Sequence, residues 1–202
     1  EQADSVTIDA HKQLYVPVGA GIALFRQQSA LDSVEHHANY VIRHGSRDIG
    51  KHTLEGSRSG MAMLVHSGLR IIGRRGYELL IDLGIGKAGQ FAKMIKSTPG
   101  FEVTSEPELN LLTYRYLPEE AAALLTQARH AEQNKLQEEL NALLDDLTES
   151  IQKTQRASGK SFVSRTRIEV AKYGGKPVSV FRVVLANPLT TRQILQDILE
   201  EQ

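Results

Sequence analysis

The chain has 202 residues and no cysteine, and its 24 Lys and Arg balance 24 Asp and Glu. This length can bury a core and supply one or two domains, while zero net charge argues against a nucleic-acid binder that relies on a broad positive field. No disulfide framework is available, no apolar run approaches the roughly 18 residues of a membrane span, and no signal-peptide pattern lies near residue 1, so a cytoplasmic enzyme acting on a small molecule is the expectation.

In chain order, Val6 and Ile8 alternate with Ser5, Thr7 and Asp9, the period-2 pattern of a short strand that presents His11 and Lys12 at its end. A lysine there is either a solvated loop residue or an amine whose partial burial suits it to imine chemistry. Gly21–Phe25 reads as a second, buried strand. The polar stretch from Gln27 to Glu55 reads as a loop-rich connection, and a connection longer than about 15 residues is commonly functional or mobile. A buried helix is expected from Ser57, with Met61, Leu64, Val65, Gly68, Leu69 and Ile72 on one stripe. Gly73-Arg74-Arg75-Gly76 breaks it, and Leu80, Leu83, Phe91, Met94 and Ile95 mark a second helix running to Pro99-Gly100, where a domain boundary is placed.

The remainder predicts a small α+β domain. Strands are expected near Phe101–Thr104 and Leu111–Tyr116, followed by Pro118 at the first position of a helix with Glu119 and Glu120 in its first turn. From there one long helix is read, with Leu136, Leu140, Leu143, Leu147 and Ile151 as its apolar stripe and Gly159 closing it. Phe162 to Val170 alternates, Gly174-Gly175 supplies a turn, Val178–Leu185 returns as a strand and Gln193–Glu200 is the terminal helix.

Three segments carry a resemblance: DSVTIDAHKQLYVPVGAG around Lys12, HANYVIRHGSRDIGKHTLEGSRSG in the polar connection, and VFRVVLANPLTTRQILQDILEE at the end. Occurring in that order, they resemble the group II pyridoxal phosphate (PLP)-dependent amino-acid decarboxylases, the glutamate and aromatic amino-acid decarboxylase family, along the whole chain. The resemblance implies an α/β fold: residues 1–75 as the C-terminal portion of a fold-type I PLP-binding large domain, 76–98 as a connecting helix, and 99–202 as the small α+β C-terminal domain. Asp9-Ala10 stands where many members have Asn-Pro, and Gln13 where many carry a bulky residue.

Site roles follow from the same resemblance. Lys12 is implied as the Schiff-base lysine, with His11 and Asp9 where the family has phosphate-contacting residues. An imidazole can donate to a phosphate oxygen, whereas an aspartate would repel it unless water or a backbone group intervenes. Tyr40 lies close to where the family has a loop tyrosine that delivers a proton to the substrate carbon. Arg182 can also be argued from its own surroundings: flanked by Val180 and Val184 on one strand face, its guanidinium needs an anion, either a substrate carboxylate or a nearby Glu or Asp. The family's ring-pairing aspartate and ring-stacking histidine belong upstream of the lysine strand, which implies that a preceding segment supplies them.

The remaining patterns carry less. Gly84-Ile85-Gly86-Lys87-Ala88-Gly89 spells a dinucleotide fingerprint but falls within a helix, so it reads as accidental. Ser57 reads as a helix N-cap beside Arg58. His36, His37, His44 and His52 form no ligand set on one element and read as solvated, so no metal is expected. Two functions stay open. One is decarboxylation of an acidic amino acid, glutamate to 4-aminobutyrate or aspartate to β-alanine, with 2,4-diaminobutyrate as an alternative substrate, by a homodimer with a shared active site. The other is a non-catalytic remnant that keeps only the C-terminal, dimer-forming part.

Overall fold

The computed structural model describes residues 2–38, 40–45, 47–53 and 55–202. Two compact units divide it, Glu1–Tyr77 and Glu78–Gln202.

In the first unit, β1 (Ser5–Asp9) pairs antiparallel with β2 (Gly21–Phe25), in register from Ser5 opposite Phe25 to Asp9 opposite Gly21. The β2 strand is where the sequence puts it, but it is not buried. Val6, Ile8, Leu24 and Phe25 are all exposed in this two-stranded pair, and of the β2 residues Ile22 alone is half-buried. The polar connection holds two short 3-10 turns, Gln28–Val34 and Ile49–His52, and a bridge between Ala38 and Ile42.

Helix α1 (Met61–Ser97) starts later than expected, and Ser57 does not cap it. Its expected stripe is only partly buried: Met61, Val65, Gly68 and Ile72 are half-buried, while Leu64 and Leu69 are exposed. The expected break is present, since Gly73 adopts φ 68°, ψ 173°, a conformation open to glycine and costly for other residues.

The second unit holds a four-stranded antiparallel sheet of order β3–β4–β6–β5, where β3 is Phe101–Ser105, β4 Leu111–Tyr116, β5 Ser164–Glu169 and β6 Pro177–Val184. Strand alternation sends successive side chains to two separate cores. Leu112, Tyr114 and Phe181 meet Ala88, Phe91 and Ile95 of α1, with Leu195 and Leu199 of α4 (Arg192–Glu201). Val178 and Val180 point the other way, toward Leu125 of α2 (Glu119–His130) and Leu144 of α3 (Asn134–Ser158). The 76–98 segment, expected as a connector, is therefore largely a core element of this unit.

Each large side chain fully buried here contributes about 1.5–3 kcal/mol. The aromatic pairs add to this: Phe91 meets Tyr114 edge-on at 5.5 Å and 83°. Burial pushes the Tyr114 phenol well above its ordinary pKa, and its hydroxyl donates to Gln202 Oε1 at 2.8 Å. Gln202 in turn donates to Gln155 at 3.0 Å, fixing the end of α4 against α3.

Pro118 occupies the N-cap position of α2, one residue earlier than expected. Two helices follow rather than one, because Glu132 turns left-handed at φ 54° and Gln133 N–H closes onto the Ala128 carbonyl at 2.8 Å. In α3, Leu144, Thr148 and Gln155 are the buried positions, while Leu143, counted in the predicted stripe, is exposed. The glycine motif belongs to α1. A Cβ on Gly84 would sit 2.9 Å from the Leu185 carbonyl oxygen, so Gly84 is there for close packing, whereas Gly86 and Gly89 face open space.

One cation lies deep in this unit. Arg115 is fully buried; its Nη1 donates to Asn141 Oδ1 at 2.8 Å, and its Nη2 lies 3.2 Å from the Asn141 carbonyl and 3.5 Å from Asp145 Oδ1. Asp145 also accepts from Ser179 N–H at 2.7 Å and pairs with Arg167 at 3.1 Å. The guanidinium sits 5.1 Å from the centre of the Tyr173 ring. Burial pulls the Arg115 pKa down, and Tyr173 and Asp145 work against that. Asp145→Ala strands this charge, and a loss of about 3–5 kcal/mol is expected in urea unfolding of the full-length protein; a loss below 1 kcal/mol would contradict the pairing.

Candidate active site

Lys12 follows β1 in a turn built from its own backbone. Lys12 N–H donates to the Asp9 carbonyl at 3.0 Å, Tyr15 N–H to the Lys12 carbonyl at 3.2 Å, and Val16 N–H to the Ala10 carbonyl at 3.4 Å. Ala10, fully buried, closes the throat by donating to the Ala20 carbonyl at 3.1 Å. The Lys12 side chain is 65% exposed and its amine is ion-paired with Asp9. That pairing, led by the hydrogen bond from Lys12 and then by its charge, holds the Asp9 carboxyl below its ordinary range. Asp9 thus faces the lysine amine, a contact that sequence reasoning did not anticipate.

His11 is fixed by a different contact. Its Nδ1 lies 3.2 Å from the Ala20 carbonyl oxygen. A carbonyl can only accept, so Nδ1 carries the proton, and Nε2 donates only when the ring is doubly protonated.

Tyr40 is 86% exposed at the tip of a tight hairpin, with Val41 and Ile42 N–H both donating to the Ala38 carbonyl and Ile42 buried as its anchor. Among the described residues it has no hydrogen-bond partner, the Asp9–Lys12 pair included. A cleft of about 990 Å³ lies between the start of β2, the Asp48–Thr53 segment and the start of α1; Lys12, His11 and Tyr40 do not line it.

Arg182 behaves differently from its predicted setting. Val180 is buried, but Arg182 and Val184 are exposed toward the end of β6, so the guanidinium reaches water without needing an anion, and among the described residues it makes no ion pair. The buried arginine of this unit is Arg115, which sequence reasoning missed. The available signal was Arg115 alternating with Thr113 on β4, opposite the Leu112 and Tyr114 face, together with Asn141 and Asp145 four residues apart on a helix.

The histidines gather more than the sequence suggested. Asp32, Glu35 and His52, from the two 3-10 turns, bring one ligand atom each to within 4.8 Å of one another. Glu35 is already countered by Lys51 at 2.9 Å and His37 at 3.2 Å, and its carboxyl is held below its ordinary range chiefly by the Lys51 hydrogen bond.

Lys12 thus presents an exposed, ion-paired amine at a strand end beside His11, the solvated one of the two alternatives that the sequence left open. Residues 1–117 match the pyridoxal-dependent decarboxylase conserved domain, and the chain belongs to that family. It is 56% identical to aspartate 1-decarboxylase of Aliivibrio fischeri over 200 residues, covering 99% of this chain and 36% of that protein. Over 111 residues it is 33% identical to L-aspartate decarboxylase of Thermococcus kodakarensis, covering 54% of this chain and 28% of that one. The chain thus spans about a third of these relatives' length. Among solved structures, mouse CSAD in its apo form superposes with a TM-score of 0.75 at 20% identity, over 98% of this chain and 39% of its own. Oryza sativa TDC with PLP and tryptamine superposes equally well, at 0.75 and 17% identity, over 98% of this chain and 38% of its own. These likenesses show the fold of a group II decarboxylase.

The depressed Asp9 pKa fixes a direction with pH. The ion pair is formed above the ordinary carboxylate range and is lost as pH falls through the lowered folded pKa. A carboxylate NMR titration of the full-length apo protein should put the Asp9 midpoint below the ordinary aspartate range and return it there in Lys12→Ala; an ordinary midpoint in wild type would contradict the pairing.

Proposed function

We propose that the protein to which this chain belongs is a PLP-dependent carboxy-lyase that removes the α-carboxylate of an acidic amino acid, aspartate to β-alanine foremost and glutamate to 4-aminobutyrate next. The observation that carries this reading is the exposed Lys12 amine at the end of β1, in a chain 56% identical to an aspartate 1-decarboxylase.

The residues present fit the cofactor. Lys12 would hold it through its amine, and His11 would meet its phosphate through Nε2. When bound, PLP supplies a conjugated ring that accepts the electron pair left by the departing carboxylate. The work of this chain's side chains is then separable. Asp9 neutralises the Lys12 ammonium and keeps it oriented in the resting protein. His11, with Nδ1 committed to Ala20, offers a phosphate oxygen a charge-assisted hydrogen bond from Nε2 in its imidazolium form. Tyr40, on a short solvent-facing hairpin, is suited to deliver a proton from its hydroxyl to the substrate carbon while its loop excludes water. Arg182, exposed and without an ion-pair partner among the described residues, is available to grip a second carboxylate with its planar fork. We further propose a cytoplasmic homodimer; among the described residues no helix is long and apolar enough to cross a membrane.

The test is carbon dioxide release by the full-length protein from aspartate, glutamate and 2,4-diaminobutyrate. Aspartate should be the preferred substrate; release from none of the three would favour the non-catalytic remnant. Tyr40→Phe should retain cofactor and slow product formation by about 10²-fold or more, and normal turnover would remove Tyr40 from the mechanism. Arg182→Met should weaken acidic-substrate binding by about 1.5–3 kcal/mol; an unchanged KM for aspartate would refute that role.

A further inference from the structure

The turn that carries Lys12 is tied to helix α1 through Tyr77. The Tyr77 hydroxyl donates to the Leu14 carbonyl at 3.0 Å, across 63 positions of sequence, and the residue is only 7% exposed. Leu14 is two residues beyond Lys12, inside the turn closed by the Val16-to-Ala10 hydrogen bond. The phenol also lies against Gly68: a Cβ there would come within 3.1 Å of the Tyr77 hydroxyl oxygen and 3.4 Å of Val16 Cγ1.

That meeting is not available to a regular helix. In an uninterrupted α-helix, residues nine apart lie about 13.5 Å apart along the axis and on opposite sides of it. Positions 68 and 77 are nine apart, yet their groups touch. The break at Gly73, φ 68° and ψ 173°, brings the Tyr77 phenol back to Gly68 and Leu14. Three features thus converge on one carbonyl: a glycine that breaks the helix, a glycine that leaves room on it, and a tyrosine whose hydroxyl reaches the turn.

We propose that Tyr77 is a positioning residue for Lys12, acting through its hydrogen bond to Leu14 to hold the turn in the geometry from which the amine is offered. The proposal rests on the reading of Lys12 as the cofactor lysine. The side chain of Lys12 is largely exposed, so its placement depends on the backbone that carries it. A turn that spends less time in the competent geometry binds cofactor more weakly by the fraction lost.

The experiment compares Tyr77→Phe, Gly68→Ala and Lys12→Ala with the wild-type full-length protein, by absorbance titration with pyridoxal phosphate at a temperature well below every variant's melting midpoint. Tyr77→Phe keeps the ring and removes only the hydrogen bond, and should raise the cofactor Kd about three- to tenfold, the loss expected for one hydrogen bond. Gly68→Ala crowds the phenol without removing it and should shift the Kd in the same direction. A melting midpoint that falls in Tyr77→Phe while the Kd stays at the wild-type value makes Tyr77 a packing residue and overturns the proposal. Lys12→Ala separates the two layers. If it keeps the wild-type Kd and spectrum, the reading of Lys12 fails and the Tyr77 proposal falls with it. If it loses them while Tyr77→Phe does not change the Kd, only the Tyr77 proposal fails.

Discussion

Apolar burial is distributed unevenly along this chain, and the rest of the structure follows from that. The sheet β3–β4–β6–β5 is covered on both faces, so alternate residues of each central strand enter two different cores, Leu112, Tyr114 and Phe181 on one side and Val178 and Val180 on the other. The β1–β2 pair has no fully buried residue, and Val6, Ile8, Leu24 and Phe25 stay in contact with solvent. Order in the second unit comes from packing. In the first it depends far more on hydrogen bonds closing a turn around the small buried side chain of Ala10.

The same contrast governs the charged groups. Arg115 sits in a low-dielectric interior and is held by Asn141, Asp145 and the face of Tyr173, because an unpaired guanidinium there would be prohibitively costly. Lys12 lies at the surface, where water solvates it and a single carboxylate from Asp9 is enough. The buried cation is structural. The exposed one leaves its amine in water, with Asp9 as its ion-pair partner.

Much of this was legible in the sequence. Period-2 alternation located β1 and β5, Gly159 marked the end of α3, and the Gly73 cluster marked the break in α1. What pattern could not supply was which apolar residues find a covering layer. The stripe Met61–Ile72 and the run Gly21–Phe25 have the composition of buried elements, yet burial depends on a second surface that local sequence does not encode. The stripe on α3 was read one position out at Leu143, because leucines at both 143 and 144 fit a spacing of three to four and only tertiary packing selects Leu144. At the site, Lys12, His11 and Tyr40 were proposed from short motifs and the family resemblance they carry. The Asp9–Lys12 pairing is local, three residues apart, and is set by the turn after β1, whereas the partners of the buried Arg115 met it only when β4 and α3, far apart in sequence, were brought together.

The central claim is that Lys12 is the amine to which the cofactor attaches, and borohydride reduction of the full-length protein loaded with pyridoxal phosphate, followed by peptide mass mapping, tests it most directly. The account predicts a phosphopyridoxyl mass increment on the peptide containing Lys12, in near-stoichiometric yield and absent from unreduced samples. An increment spread over surface lysines, or concentrated on another lysine with the Lys12 peptide unmodified, would contradict it.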